Sequence, residues 1–287
     1  MDRIIKAVIF DGQARASVLD TTDAVNRLIA IHRLSPLSAA ALGRTITAGA
    51  YISANLKGKG DRFNMIVDGG GPLGKIVVAG ESGGTVKGFV EHPAIELPPK
   101  NGKLDVGGAV GKEGFLTLIK DLGLKEPYVG RSPLVTGEIA EDFASYLLHS
   151  EGIASAVALG VLTDCNGCKA AGGVIVEALP SADENTLVML EDIVRNFTSV
   201  SALLSEKSAE EIMDFYFGHL HCEVLDTEPI RLFCNCAEKV EGIVAGLGRQ
   251  EAESIIKEQG KIEINCDYCR SQYVYTEKDL DRIFADD

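Results

Sequence analysis

The sequence predicts an α+β protein, with an N-terminal mixed α/β core domain, a helical linker and a small C-terminal zinc module built on four cysteines. Three observations carry this reading. Strand-like and helical periodicities interleave up to about residue 180. From Pro180-Ser181-Ala182-Asp183 onward the pattern turns helical and acidic. The chain then ends on two tight cysteine pairs, Cys234-Asn235-Cys236 and Cys266-Asp267-Tyr268-Cys269, with twenty-nine residues between them. The expected segments are 1–180, 181–229 and 230–287.

The chain opens on an alternating run, Ile4 to Phe10, closed by Asp11-Gly12 and followed by Ala14 to Leu19, which predicts a β-hairpin. Thr21 and Thr22 are placed to cap a helix in which Val25, Leu28, Ile29 and His32 recur at helical spacing up to Pro36. A second, alanine-rich helix runs from about Leu37 to Leu56. Its Ser38, Ala41, Thr45, Ala48 and Gly49 are small enough for other elements to pack closely, so it is expected at the centre of the core.

Strands punctuated by glycine follow at Phe63 to Val67, Lys75 to Ala79 and Val86 to Val90. Between the first two, Gly69-Gly70-Gly71-Pro72-Leu73-Gly74 matches the spacing of a dinucleotide fingerprint, but the residues after it are β-branched where a phosphate site needs a helix. These glycines are read as turn residues. A glycine-rich stretch from Gly102 to Gly114 leads to Phe115 to Ile119, and Ser132-Pro133 opens a further segment. Gly137 to Ser150 is expected to be helical, with Glu138, Glu141 and Asp142 near its positive end. Two strands, Ala156 to Leu162 and Ala170 to Glu177, then flank Asn166-Gly167 in a hairpin that sets Cys165 across from Cys168.

The linker carries two apolar stripes at helical spacing. One is Leu187, Leu190, Val194 and Phe197; the other is Ile212, Met213, Tyr216 and Phe217, after Ser208-Ala209-Glu210-Glu211. Both are expected to pack on the N-terminal sheet at rest, and an acidic helical segment of limited buried area is a candidate for conditional unfolding. In the C-terminal module, Gly248 to Gln259 predicts a helix, Lys261 to Asn265 returns the chain to the second cysteine pair, and Thr276 caps a last helix bearing Leu280, Ile283 and Phe284.

Composition narrows the function classes. A hydrophobic fraction of 46% is that of a folded globular protein, and the longest apolar run, Ile153 to Leu162, is half the length of a membrane span. Residues 1–180 hold 18 Lys/Arg against 19 Asp/Glu, a balance of −1, and residues 181–287 hold 10 against 23, a balance of −13, which sum to the total of −14. A module that grips phosphates needs a basic face, so the acidic C-terminal third argues against nucleic acid. No membrane partner is expected. Met1-Asp2-Arg3 leads straight into a strand, which predicts a chain without a secretory leader, cytoplasmic and with reduced thiols.

Thiolates one or two residues apart converge on one ion, and two such pairs fill a closed tetrahedral zinc site from Cys234, Cys236, Cys266 and Cys269. Iron accepts the same donors, and two permanent disulfides are the other arrangement open to four cysteines. A site with all four positions taken leaves none for water or substrate, which points to structure or redox sensing and away from hydrolysis. Cys165 and Cys168 are either ordinary hairpin residues or a further redox pair, the Cys-x-x-Cys spacing allowing both. No nucleophile elbow, His-Glu-x-x-His or zinc-deaminase pattern is present, and His219 and His221 beside Cys222 lack a partner motif, so no enzyme is expected. A zinc-stabilised module that binds nucleic acid or protein is the alternative.

The cysteine arrangement, taken with Ala41-Leu42-Gly43-Arg44, Gly69-Gly70-Gly71-Pro72, Lys120-Asp121-Leu122-Gly123-Leu124 and Gly137-Glu138-Ile139-Ala140-Glu141-Asp142, resembles the bacterial redox-regulated chaperone family heat shock protein 33 along the full length. The resemblance implies an ATP-independent holdase, silent while four thiolates hold one zinc ion and active after oxidation. It implies that Cys234 then pairs with Cys236 and Cys266 with Cys269, and that the module unfolds and the linker loosens. Leu187, Leu190, Val194, Phe197, Ile212, Met213, Tyr216 and Phe217 would then be free to bind unfolded proteins. It also implies that the active form is a homodimer. The Cys165 and Cys168 pair is a departure from the family pattern.

Overall fold

A computed structural model describes residues 1–195 and 199–284, in two compact units, Met1–Leu232 and Phe233–Asp287. The first unit opens with the expected hairpin, β1 (Arg3–Ile9) and β2 (Ala14–Asp20), then α1 (Thr22–His32) and α2 (Pro36–Asn55). β3 (Arg62–Gly70), β4 (Ile76–Glu81) and β5 (Thr85–Val90) form a meander, and α3 (Val106–Val110), β6 (Gly111–Asp121) and β7 (Tyr128–Pro133) follow. α4 (Ala140–Glu151) leads to the hairpin of β8 (Ser155–Asp164) and β9 (Gly167–Ala178). The unit closes with α5 (Glu184–Arg195), α6 (Val200–Leu204), α7 (Ala209–Phe217), β10 (Glu223–Pro229) and β11 (Arg231–Leu232).

The strands form two sheets, of order β10-β1-β2-β9-β8 and β11-β5-β4-β3-β6-β7. Helix α2 packs on both, and seventeen of its twenty residues are buried. Small side chains make this possible. A Cβ on Gly43 would stand 2.7 Å from Val161 of β8, and one on Gly49 would stand 2.6 Å from Val78 of β4, so each sheet meets the helix at a glycine. The main core gathers here, with Leu42, Ile46, Met65, Val78, Leu118, Phe143 and Ile175.

The cap of α1 differs from expectation. Thr21 makes no side-chain cap; its hydroxyl bonds Thr47 of α2 at 2.8 Å. The N–H groups of Asp23 and Ala24 in the first turn, which have no partner within the helix, donate instead to the two carboxylate oxygens of Asp2, at 2.8 and 2.7 Å. Asp2 is only 5% exposed. Desolvation on burial outweighs these two bonds and raises its carboxyl to about 6, with Asp20 and Asp23 adding to the rise. A carboxyl whose folded value lies above its unfolded one binds more protons when folded. It therefore contributes stability below about pH 4 that is lost as pH rises through about 6. Asp2→Asn is expected to gain stability relative to the parent chain between these values. The gain is at most about 3 kcal/mol at about 1.4 kcal/mol per pKa unit, read by denaturant unfolding across that range.

The β8–β9 hairpin is shifted by one residue from the expected register. Asp164 pairs with Gly167 and Thr163 with Cys168, so Cys165-Asn166 is the loop and the two cysteines are not cross-strand partners. Ser132-Pro133 ends β7, where a segment was expected to open. Residues 223–229, expected within the helical linker, are a strand paired antiparallel with β1. The reason is visible in its burial. β10 is an edge strand exposed nearly throughout, and its sequence carries no apolar alternation to mark it.

Helices α5 to α7 lie over the outer face of the first sheet. Ile5, Ala7 and Ile9 of β1, Ala16 and Val18 of β2, and Val174 and Val176 of β9 form one cluster with Leu190, Val200, Ile212, Met213 and Phe217. Ser208 and Glu211 make the capping box of α7. At α6 the approach is close enough that a Cβ on Gly160 would come within 2.9 Å of Ser201.

Candidate metal centre

The second unit contains α8 (Cys236–Leu247), α9 (Arg249–Gln259), the antiparallel pair β12 (Ile262–Asn265) and β13 (Gln272–Tyr275), and α10 (Glu277–Ile283). α8 is an element the sequence reading missed, although Val240 and Val244 already stand at helical spacing, and both are buried. With Ala252, Ile262, Tyr275, Leu280 and Phe284 they make up the fully buried core of the unit. Thr276 stands at the N-cap of α10 as expected, but its hydroxyl makes no cap bond to the helix backbone; its N–H and hydroxyl both donate to the Asp279 carboxylate at 2.8 Å.

The two cysteine pairs are held by different local devices. Cys234 follows β11 at one residue's remove, and Cys236 is the first residue of α8, where the positive helix end favours a thiolate. Cys266 and Cys269 sit in the loop between β12 and β13. The Arg270 N–H donates to the Cys266 carbonyl at 2.8 Å and the Cys266 N–H to the Ser271 carbonyl at 2.9 Å, with Arg270 in the left-handed region at φ 57°. The Cys266 sulfur accepts from the backbone N–H groups of Cys269 and Tyr268.

The four Sγ atoms lie within 4.8 Å of one another. Cys234 and Cys266 are 3.7 Å apart and Cys236 and Cys269 3.3 Å. A tetrahedron with metal–sulfur bonds of about 2.3 Å has edges of about 3.8 Å, and the Cys234–Cys266 separation of 3.7 Å is close to that edge. Soft sulfur donors in this number and shape fit zinc or iron. Tyr273 Oη stands 3.1 Å from Cys236 Sγ, and that hydrogen bond is the main cause raising its phenol to about 12, which keeps it a donor. Burial raises the Cys266 thiol. Burial acts the same way on Cys269, but hydrogen bonding to the Ser271 hydroxyl, 3.2 Å away, and N–H, and to the neighbouring cysteines, brings it down to about 7. Ser271 and Tyr273 are neighbours of the sulfurs that cysteine spacing alone does not reveal.

The other singled-out residues separate clearly. Cys168 is buried with Val25 and Ala171, and burial pushes its thiol up to about 12, while Cys165 is exposed. Among the described residues no disulfide joins any cysteines. This geometry favours hairpin residues over a redox pair. Leu190, Ile212, Met213 and Phe217 are buried under the outer sheet face, Tyr216 packs at its edge and Leu187 is exposed. Phe197 and the side chain of Val194 lie outside the described residues. His221 is exposed and pairs with Asp11 at 3.1 Å. The turn at Gly69–Gly74 runs into β4, with no helix to receive a phosphate.

A two-sheet α+β unit followed by a small unit organised around four converging thiols defines a thiol-cluster protein of mixed fold. Residues 2–276 match the family model described as Hsp33 protein. A relative named 33 kDa chaperonin from Desulforamulus reducens is 44% identical over 286 residues, covering 98% of this chain and 97% of the relative. Another of that name from Clostridioides difficile is 41% identical over 282 residues, covering 97% of each. The crystal structure of the 33 kDa chaperonin, a heat shock protein 33 homologue from Thermotoga maritima, superposes with a TM-score of 0.88 at 35% identity, covering 99% of this chain and 98% of that one. The chain belongs to the Hsp33 family of chaperones. The expected fold class, with the four cysteines gathered at the C-terminus, agrees with that structure. Among the described residues no helix is long and apolar enough to cross a membrane.

Proposed function

We propose that this chaperone is a redox-regulated holdase, and the observation that carries the reading is the convergence of the Cys234, Cys236, Cys266 and Cys269 sulfurs to within 4.8 Å. A zinc ion bound there would hold the four sulfurs as thiolates, the form that attacks an oxidant. Each pair of thiolates then gives up two electrons to one peroxide molecule, forming a disulfide as the O–O bond breaks and the two oxygens, taking up two protons from solvent, leave as two waters. The pairing proposed is Cys234 with Cys236 and Cys266 with Cys269, and each disulfide removes two donors from the centre.

A unit whose buried core amounts to seven side chains among the described residues loses its main organising element at that point. The α5–α7 layer, which follows residue 181 and precedes the cysteines in the chain, is proposed to loosen in turn. It uncovers Ile5, Ala7, Ile9, Val18, Val174 and Val176 together with its own Leu190, Ile212, Met213 and Phe217. That joint apolar surface suits unfolded chains, and the −13 balance of residues 181–287 keeps the opened, loaded form in solution. A homodimer of the opened form belongs to the same reading.

The test compares reduced, zinc-loaded chain with peroxide-treated chain as suppressors of aggregation of a heat-unfolded client, while a chromophoric chelator records zinc release. Suppression that arises only as zinc is released is the expected result. Release without suppression would leave a zinc-stabilised binding module instead.

A further inference from the structure

Strand β10 is the lightly held edge of its sheet. Residues 223–227 are all exposed, Val224 and Leu225 to 55% and 56%, and a bulge interrupts its ladder to β1 between Lys6 and Ala7. Beyond the ladder, Lys6 holds it by an ion pair with Glu228 and a longer one of 4.0 Å with Asp226. Partly exposed pairs of this kind contribute little to stability. β1, by contrast, buries Ile4, Ile5, Ala7 and Ile9 and pairs along its whole length with β2. β10 also starts just beyond α7, and the Phe10 N–H donates to the Leu220 carbonyl in the connection, at 2.9 Å. Lifting α7 therefore pulls on the Glu223 end of β10.

An emptied β1 edge presents a row of unpaired N–H and C=O groups, a template for another strand. Its two sides differ. Ile5, Ala7 and Ile9 belong to the face beneath α5–α7, whereas Ile4 joins the main core and the Lys6 amine reaches the Ala54 carbonyl of α2 at 3.1 Å. In register, Glu228, Asp226 and Glu223 stand opposite Ile4, Lys6 and Val8, while Thr227 and Val224 stand opposite Ile5 and Ala7. β10 thus places its acids on the Lys6 side and its uncharged residues on the side of the apolar face.

We propose that, in the opened state, β1 captures an extended segment of an unfolded polypeptide as a replacement antiparallel strand. Its apolar residues continue the face of Ile5, Ala7 and Ile9, and an acidic residue meets Lys6. The inference rests on the holdase reading and supplies that reading with a directional contact: backbone hydrogen bonds are indifferent to client sequence, and the apolar face selects for client segments that alternate.

The experiment follows single β1 amides by hydrogen exchange and NMR in the full peroxide-treated chain, alone and with a short peptide of alternating valine and threonine that carries aspartates. A peptide of equal composition interspersed with prolines, which cannot complete a ladder, is the control. The edge-facing amides of β1 are expected to exchange at least about ten-fold faster after oxidation, and to slow by about ten-fold with the alternating peptide alone. Lys6→Glu is expected to weaken that effect for the aspartate peptide and not for a lysine counterpart. Three results overturn the proposal: β1 amides that stay protected after oxidation, a client held against aggregation while these amides remain fast, or protection that returns without peptide as the mass doubles, which assigns the edge to a second copy. A chain that holds no client in either redox state sinks the functional reading itself, which the first two leave standing.

Discussion

Removing the metal from the reduced chain with a strong chelator, or replacing Cys266 by alanine, is expected to unfold residues 233–284 while β1 to β9 stay folded. Among the described residues of the second unit, the buried apolar cluster is Val240, Val244, Ala252, Ile262, Tyr275, Leu280 and Phe284. A core of that size supplies at most a few kcal/mol, whereas a four-thiolate zinc site in small domains contributes about 10–16 kcal/mol. Without the ion, four sulfurs within 4.8 Å of one another repel as thiolates or take up protons, and either outcome loosens the hairpin of β12 and β13. Circular dichroism should lose the signal of α8, α9 and α10, and amide exchange should become fast in this unit and then in α5 to α7, while β2 and β9 keep their protection. A metal-free unit that keeps its exchange protection would mean that its apolar core is sufficient.

The second large effect separates exposure from metal loss. Phe217 is fully buried between α7 and the outer face of the first sheet, and Phe217→Ala is expected to cost the layer about 3–5 kcal/mol. α5, α6 and α7 are short and bury one side each, so a loss of that size is enough to populate the opened layer. The variant should suppress client aggregation in the reduced state with zinc still bound, and should bind a hydrophobic dye that the parent chain does not. Gly160→Val acts on the same layer from beneath, since the added side chain meets Ser201 of α6 within 2.9 Å. Variants that open the layer and hold no client would place the client surface elsewhere.

The parts of this protein legible in its sequence are those whose determinants are local. Cysteine spacing reveals the four-thiol cluster because the geometry of each pair is set within a few residues, and the small residues of α2 reveal a helix between two layers because close approach needs them. Long-range determinants stay hidden. Asp2 caps α1 from more than twenty residues away, in place of the adjacent Thr21. β10 finds its ladder with β1, more than two hundred residues earlier, and its exposed acids read as linker. The β8–β9 loop falls on Cys165-Asn166 and not Asn166-Gly167 because Asn26 binds the backbone of Cys168 at both its N–H and its carbonyl, 2.9 and 2.7 Å away. Ser271 and Tyr273 carry no metal-ligand signature, yet they hydrogen-bond the sulfurs.

The most direct measurement of the central claim is hydrogen exchange with mass-spectrometric readout on the intact chain, reduced and zinc-loaded against peroxide-treated. The account predicts that oxidation strips protection from residues 233–284 and from the α5–α7 segment, 184–217, while β2 and β9 keep theirs. Loss of protection confined to the cysteine unit, with 184–217 unchanged and client still held, would contradict it.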